Sequence, residues 1–165
     1  MLEKKMDETE LLEQEEDTQK DRFLTFQVSN EVYGIEIKCV TEIIGIQPIT
    51  EVPELPDYIK GIINLRGKII PVMDVRLRFK KEGVDYNDRT CVIVVDIGGV
   101  PIGLIVDNVS EVLTIPEEEI VAPPDIKGGG NRYIRGIGKV ENQVKLLLDC
   151  DRLLNEQEID ALGNM

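Results

Sequence analysis

The sequence predicts an all-β protein built as two small, pseudo-repeated five-stranded β-barrel subdomains, with short helical turns and a C-terminal helix. Three observations predict it. Hydrophobic residues make up 42% of the 165 residues while aromatics are 4% and Trp is absent, so packing falls to branched aliphatics, which suit pleated, half-buried surfaces. These residues alternate in short runs broken by Gly, Pro, Asn and Asp, the signature of strands and turns. The chain also repeats itself. Tyr58-Ile-Lys-Gly-Ile62 returns as Tyr133-Ile-Arg-Gly-Ile137, and in the same register Asp74 falls on Asp149, Ile69 on Val144, Val72 on Leu147 and Met73 on Leu148. Upstream, Gly34-Ile-Glu-Ile37 with Val40-Thr-Glu-Ile-Ile44 is echoed by Gly103-Leu-Ile-Val106 with Val109-Ser-Glu-Val-Leu113. Five short, bent antiparallel strands per copy close on themselves to remove their edges.

The elements follow in order. Residues 1–21 are polar and mostly acidic, an expected flexible tail. The first barrel is expected over 22–79. Leu24, Phe26 and Val28 alternate with Thr25 and Gln27, the period of a half-buried strand. Ser29-Asn-Glu31 turns the chain into a return strand through Tyr33, Ile35 and Ile37. Val40, Ile43 and Ile44 fall at helical spacing, which predicts a short helical turn over 38–44. Residues 46–52 read as a strand held to an edge or bulge by Pro48. Pro53-Glu-Leu-Pro56 cannot extend a central strand, and the segment to Lys60 is expected as a short turn of helix that delivers Gly61. A hairpin of 61–65 and 68–75 follows, and Gly67 supplies the positive φ that its two-residue turn needs.

Residues 80–88, charged and without periodicity, are the expected connecting loop; the second barrel is expected over 89–149. Its first hairpin, 91–97 and 102–106 around Gly98-Gly99, is nearly continuous in apolar residues and must be covered on both faces. A strand over 112–115, a helical turn from Pro116 and a mobile loop over 122–131 come next. The closing hairpin is 133–140 and 143–148, joined by Glu141-Asn142. Residues 150–165 carry Leu153, Leu154, Ile159 and Leu162 on an expected helix capped by Asp149 or Asp151.

Charge and missing chemistry narrow the function. A net charge of -13 argues against nucleic acid, which needs a local excess of Lys and Arg, and against an anionic membrane. No run approaches the ~18 apolar residues of a membrane span and no signal-peptide core opens the chain, so the cytosol is the expected compartment. The absence of His removes the commonest general base and transition-metal ligand. Cys39, Cys91 and Cys150 lack ligand spacing and are flanked mainly by apolar residues, which predicts buried free thiols and neither a disulfide framework nor a zinc site. Gly128-Gly-Gly130 is followed by Asn131-Arg132, so it is a loop and no phosphate cradle. Acidic runs such as Glu117-Glu-Glu119 read as solvated surface. No catalytic residue, cofactor or metal is expected. What remains is a protein that binds proteins, or an inert structural unit; a groove lined by Val and Ile between two barrels suits an incoming helix.

The stretch Tyr58-Ile-Lys-Gly-Ile-Ile-Asn-Leu-Arg-Gly-Lys-Ile-Ile-Pro-Val-Met-Asp-Val-Arg-Leu77 strongly resembles the CheW family, adaptors that couple chemoreceptors to the histidine kinase CheA in bacterial chemotaxis. Gly61, Asn64, Leu65, Arg66, Gly67, Ile69, Pro71, Val72 and Asp74 carry the pattern. Tyr33-Gly-Ile-Glu-Ile37 with Val40-Thr-Glu-Ile43, and Gly103-Leu-Ile-Val-Asp107 with Val109-Ser-Glu-Val112, are similar to the same family. The resemblance runs from about Phe23 to the C-terminal helix. It implies two SH3-like barrels, a non-catalytic stand-alone adaptor, and two partners. One is the regulatory domain of CheA, which associates barrel to barrel; the other is the cytoplasmic tip of a methyl-accepting chemotaxis receptor, docked in the groove between the barrels. Positions matching the receptor surface are Val40, Glu42, Gly61, Arg66, Cys91 and Val112; no kinase-contact residue is assigned. Core packing is the competing reading for Val40 and Val112, and backbone geometry for Gly61 and Gly67. Glu42, expected in the helical turn facing Arg66, is expected to pair with it across the groove. A monomer is expected. The alternative function is a stand-alone regulatory module for a different signalling kinase, and a small enzyme using acidic residues is a third reading.

Overall fold

In the computed structural model, which describes residues 20–124 and 132–164, the strands pair as the repeat requires but not within the halves of the chain. β1 (Arg22–Val28) and β2 (Glu31–Glu36) form the opening hairpin, and a 3-10 turn at Ile37–Cys39 leads to β3 (Val40–Gly45). β4 (Ile59–Leu65) and β5 (Lys68–Asp74) form a second hairpin that ends in α1 (Val75–Arg78). The second copy gives β6 (Cys91–Ile97), β7 (Val100–Val106), β8 (Asn108–Thr114), a 3-10 turn at Glu117–Glu119 and the short β9 (Ile120–Val121). β10 (Ile134–Val140) and β11 (Gln143–Leu148) follow, then a 3-10 turn at Cys150–Arg152 and α2 (Glu156–Gly163).

The sheet orders are β8-β1-β2-β11-β10-β9 and β3-β6-β7-β5-β4. With β9 set aside, the two orders are equivalent once each opening hairpin is assigned to the other copy. β1-β2 lies between β8 and β11, and β6-β7 lies between β3 and β5. The all-β class and the two barrel-like sheets agree with expectation. The expected boundaries do not: 22–79 and 89–149 are not separate barrels, because each sheet takes strands from both. The exchange covers both faces of each exchanged hairpin; β6–β7 is apolar on both, whereas β1 alternates, with Thr25 and Gln27 on the same face as Phe23. Val92, Val94 and Ile105 pack with Ile63, Ile70 and Val72 inside one barrel, and Phe23 packs with Ile115 and Leu147 inside the other. The opposite faces meet at the seam, where Leu24, Phe26, Val28 and Ile35 share one cluster with Ile93, Val95, Ile97 and Leu104.

Details of the two copies match. In the parallel pairings, Leu147 lies opposite Gly34 and Val72 opposite Gly103. A Cβ on Gly34 would stand 2.9 Å from Leu147 Cδ2, and one on Gly103 2.9 Å from Val72 Cγ1, so the neighbouring side chain occupies the space in both. Register shifts fall at Ile59/Gly61 and Ile134/Gly136. The Asp74 and Asp149 amides donate to the Tyr58 and Tyr133 carbonyls at 2.7 and 2.8 Å. Arg78, nearly buried, lies between those two tyrosines, 4.3 Å from the ring centre of Tyr58 and 5.1 Å from that of Tyr133. It also donates to the Leu153 carbonyl and to both Glu158 oxygens, which ties α2 to the body.

Five local expectations are corrected. Residues 53–58 form turns and no helix, and Ile59 already opens β4. Residues 40–45 form a strand and not a helical turn; the register shift between Val40 and Glu42 is a bulge that imitates helical spacing in the sequence. Residues 46–52 form no strand, and only Thr50 pairs, with Ile62. Asp149 caps the 3-10 turn at Cys150–Arg152, while α2 is capped by Asn155 through a reciprocal capping box with Glu158. All three cysteines are free, but only Cys150 is buried; Cys39 and Cys91 are half-buried. The expected flexible tail (its residues 1–19) and most of the expected loop (125–131) lie outside the described residues. Among the described residues, no helix is long and apolar enough to cross a membrane.

Candidate functional site

The turn between β4 and β5 sets the site. Arg66 and Gly67 both take positive φ, 53° and 85°, as a two-residue hairpin turn requires. The Asn64 side chain braces the turn by accepting from the Gly67 amide at 2.9 Å. Held there, Arg66 reaches across the barrel to β3 and grips both carboxylate oxygens of Glu42, with Nη1 donating to Oε2 at 3.0 Å and Nη2 to Oε1. The guanidinium remains largely exposed. Hydrogen bonding from Arg66 holds the Glu42 carboxyl below the usual carboxylate range. Glu42 and Arg66 therefore pair as expected, although Glu42 sits on a strand.

Two exposed large aliphatics lie close to this pair along the chain. Ile43, the next residue on β3, is 44% exposed, and Ile69, just after the turn on β5, is 51% exposed. Contiguous exposed apolar surface marks interaction sites, whereas single exposed aliphatics are ordinary, so the ion pair is what singles out this end of the barrel. Neither was a candidate in the sequence. The repeat aligns Ile43 with Val112 and Ile69 with Val144, and in the structure these counterparts are also exposed, at 39% and 56%.

The remaining candidates are distributed unevenly. Val40 begins β3 and packs half-buried against the seam cluster, so it lies at the rim of the seam. Cys91 begins β6, pairs with Gly45 of β3 and donates its thiol to the Arg89 carbonyl at 3.3 Å. Gly61 is buried and presents nothing to a partner. Its φ is +145°, and an added Cβ would stand 2.1 Å from the Thr50 carbonyl oxygen, so it lets the 46–52 segment lie against β4. Val112 is on β8, at the edge of the other sheet. The structure thus brings Glu42 and Arg66 into contact, puts Val40 and Cys91 on the same ribbon, and leaves Gly61 beneath and Val112 on the second barrel. Because the shared core fills the middle of the seam, this surface is a rim and not an open groove.

A second ion pair pins the hairpin junctions. Arg76 of α1 binds Asp107 with two hydrogen bonds, at 2.8 and 2.5 Å, and Asp107 also accepts from the Ser29 amide at 2.8 Å. Burial works to raise the Asp107 pKa, but Arg76 and the Ser29 amide outweigh it and hold the carboxyl below its usual range.

The family model described as the CheW-like domain matches residues 22–158, and the chain belongs to that family. It is 38% identical over 144 residues to the chemotaxis protein CheW of Klebsiella aerogenes, covering 87% of each chain. It is 31% identical over 138 residues to the chemotaxis protein CheW of Bacillus subtilis, covering 83% of this chain and 88% of that one. The crystal structure of the scaffolding protein TtCheW from Thermoanaerobacter tengcongensis superposes with a TM-score of 0.77 at 36% identity, covering 84% of this chain and 96% of that one.

Proposed function

We propose that this protein is a non-catalytic chemotaxis adaptor of the cytosol that couples transmembrane chemoreceptors to the histidine kinase CheA, so that receptors control kinase activity. Membership of the CheW-like family supports the adaptor role, as do relatives named as chemotaxis and scaffolding proteins. The observation that carries the site reading is the Glu42–Arg66 pair, set at a tight turn, with the exposed Ile43 and Ile69 close to it along the chain. In this reading the helical receptor tip lies along the rim formed by β3 and the β4–β5 turn. Its apolar face covers the aliphatics and its polar groups meet the ion pair. Val40 and Cys91 extend that rim, Gly61 supports it from beneath, and Val112 is its far margin. The kinase regulatory domain takes a different face.

Reconstitution tests the proposal. Adding this protein to CheA and receptor-bearing membranes should make kinase activity respond to receptor ligand. Arg66→Ala should weaken receptor binding roughly tenfold, as loss of an interface arginine commonly does, while leaving binding to the CheA regulatory domain unchanged. Equal weakening toward both partners would remove the site assignment, and binding of neither partner by the parent protein would remove the function.

A further inference from the structure

We propose that Cys39 is a peroxide-reactive modification site and Cys150 its resolving thiol, so that a hydroperoxide converts the two into an intramolecular disulfide. The topology brings them together. β2 and β11 are parallel neighbours, so the turn that follows each leaves the sheet at the same end. Cys39 ends the first of these turns and Cys150 begins the second. Both line a crevice of about 150 Å³ together with Glu36, Lys38, Arg135 and Asp149. Cys39 is half-buried and Cys150 is 5% exposed, which places one sulfur toward solvent and the other behind it.

The Cys150 thiol donates to the Asp96 carbonyl oxygen at 3.9 Å. The nearby Cys150 thiol brings the Cys39 pKa down to about 7; burial opposes this, Lys38 assists it, and Asp151 and Asp149 oppose it. The same proximity, with burial, pushes the Cys150 thiol up. Lys38 and Arg135 are each also paired with Glu36. The repeat supplies a control for packing. The positions equivalent to Cys39 and Cys150 in the other copy are Asn108 and Val75, so the fold itself requires no thiol in either place.

The steps balance. The Cys39 thiolate attacks the peroxide, an S–O bond forms as the O–O bond breaks, and the departing oxygen takes a proton to leave as water or an alcohol. Sulfur is oxidised by two electrons and the peroxide reduced by two. The Cys150 sulfur then attacks the Cys39 sulfenic acid, giving up its proton, and water leaves as the S–S bond forms.

The test uses the full chain with stoichiometric hydrogen peroxide at pH 7, followed by peptide mapping without reduction. A Cys39–Cys150 cross-linked peptide that dithiothreitol releases is expected. Cys150→Ser should leave Cys39 as a sulfenic acid trapped by dimedone, and Cys39→Ser should leave Cys150 unreacted. With its thiolate fraction near one half, Cys39 should react at pH 7 about tenfold faster than an ordinary cysteine peptide. Oxidation of Cys91 ahead of Cys39, or peroxide treatment that leaves Cys39 and Cys150 as free thiols, would overturn the proposal. The mapping of the parent protein decides this even if a serine variant fails to fold.

Discussion

Gly61→Ala should cost about 2–4 kcal/mol, because the new methyl meets backbone and the positive φ strains any L side chain. Urea unfolding would measure it, and a cost below about 0.5 kcal/mol would show that the 46–52 segment simply moves aside. Arg66→Ala should do the reverse. An exposed ion pair adds little to stability, so its melting temperature should stay within replicate scatter while receptor binding falls. Asp107 adds a pH signature. Its folded pKa is depressed below the unfolded value of about 3.9, so its contribution is complete above that value and is lost as pH falls through the folded pKa. Asp107→Asn should therefore be less stable than the parent by about 1–3 kcal/mol at pH 7, and the difference should shrink below about pH 4. A difference independent of pH would assign the loss to packing. At this scale the sequence was informative about Arg66, whose turn chemistry is local. It was silent about Ile43 and Ile69, because exposure depends on which strands cover which.

The elements end in caps at positions that the repeat makes equivalent. Asp74 and Asp149 occupy matching positions and both accept from backbone amides, Asp74 from Arg76 and Leu77, Asp149 from Asp151. Asp74 is also buried and accepts from the Tyr86 hydroxyl at 2.7 Å; burial first, then Asp74, pushes that phenol upward. Asp74→Ala should therefore cost about 2–3 kcal/mol, because it leaves the half-buried Tyr86 hydroxyl without its acceptor as well as removing a cap, whereas Asp149→Ala should cost about 1 kcal/mol. Equal costs in denaturant titrations would mean that Tyr86 finds another acceptor. The misreading of β3 also belongs to this scale. Over six residues with a bulge, Val40, Ile43 and Ile44 satisfy helical and extended periods alike, and only the pairing partner β6, some fifty residues away, decides between them.

For the whole molecule, the repeat shows which strands are equivalent but not which copy they pair with. Strands kept in their own copy and strands exchanged make nearly the same local contacts, so apolar pattern and turn chemistry cannot distinguish them. The three-residue link at Ile37–Cys39 carries the chain straight from one sheet into the other. It follows that fragments 1–88 and 89–165 should each lack stable β-structure alone and regain it when mixed, as followed by circular dichroism and size-exclusion chromatography. Independent folding of either fragment would contradict the shared core. The reciprocal exchange is also the geometry of a domain-swapped homodimer fused into one polypeptide, with an internal pseudo-dyad in place of an isologous axis. Fusion frees the two sides to diverge. Where one side carries Glu42 and Arg66, the matching positions on the other are Glu111 and Glu141, two acids in place of an ion pair. One scaffold thus carries two related but electrically unlike faces, so a surface whose charges complement one of them finds no such match on the other.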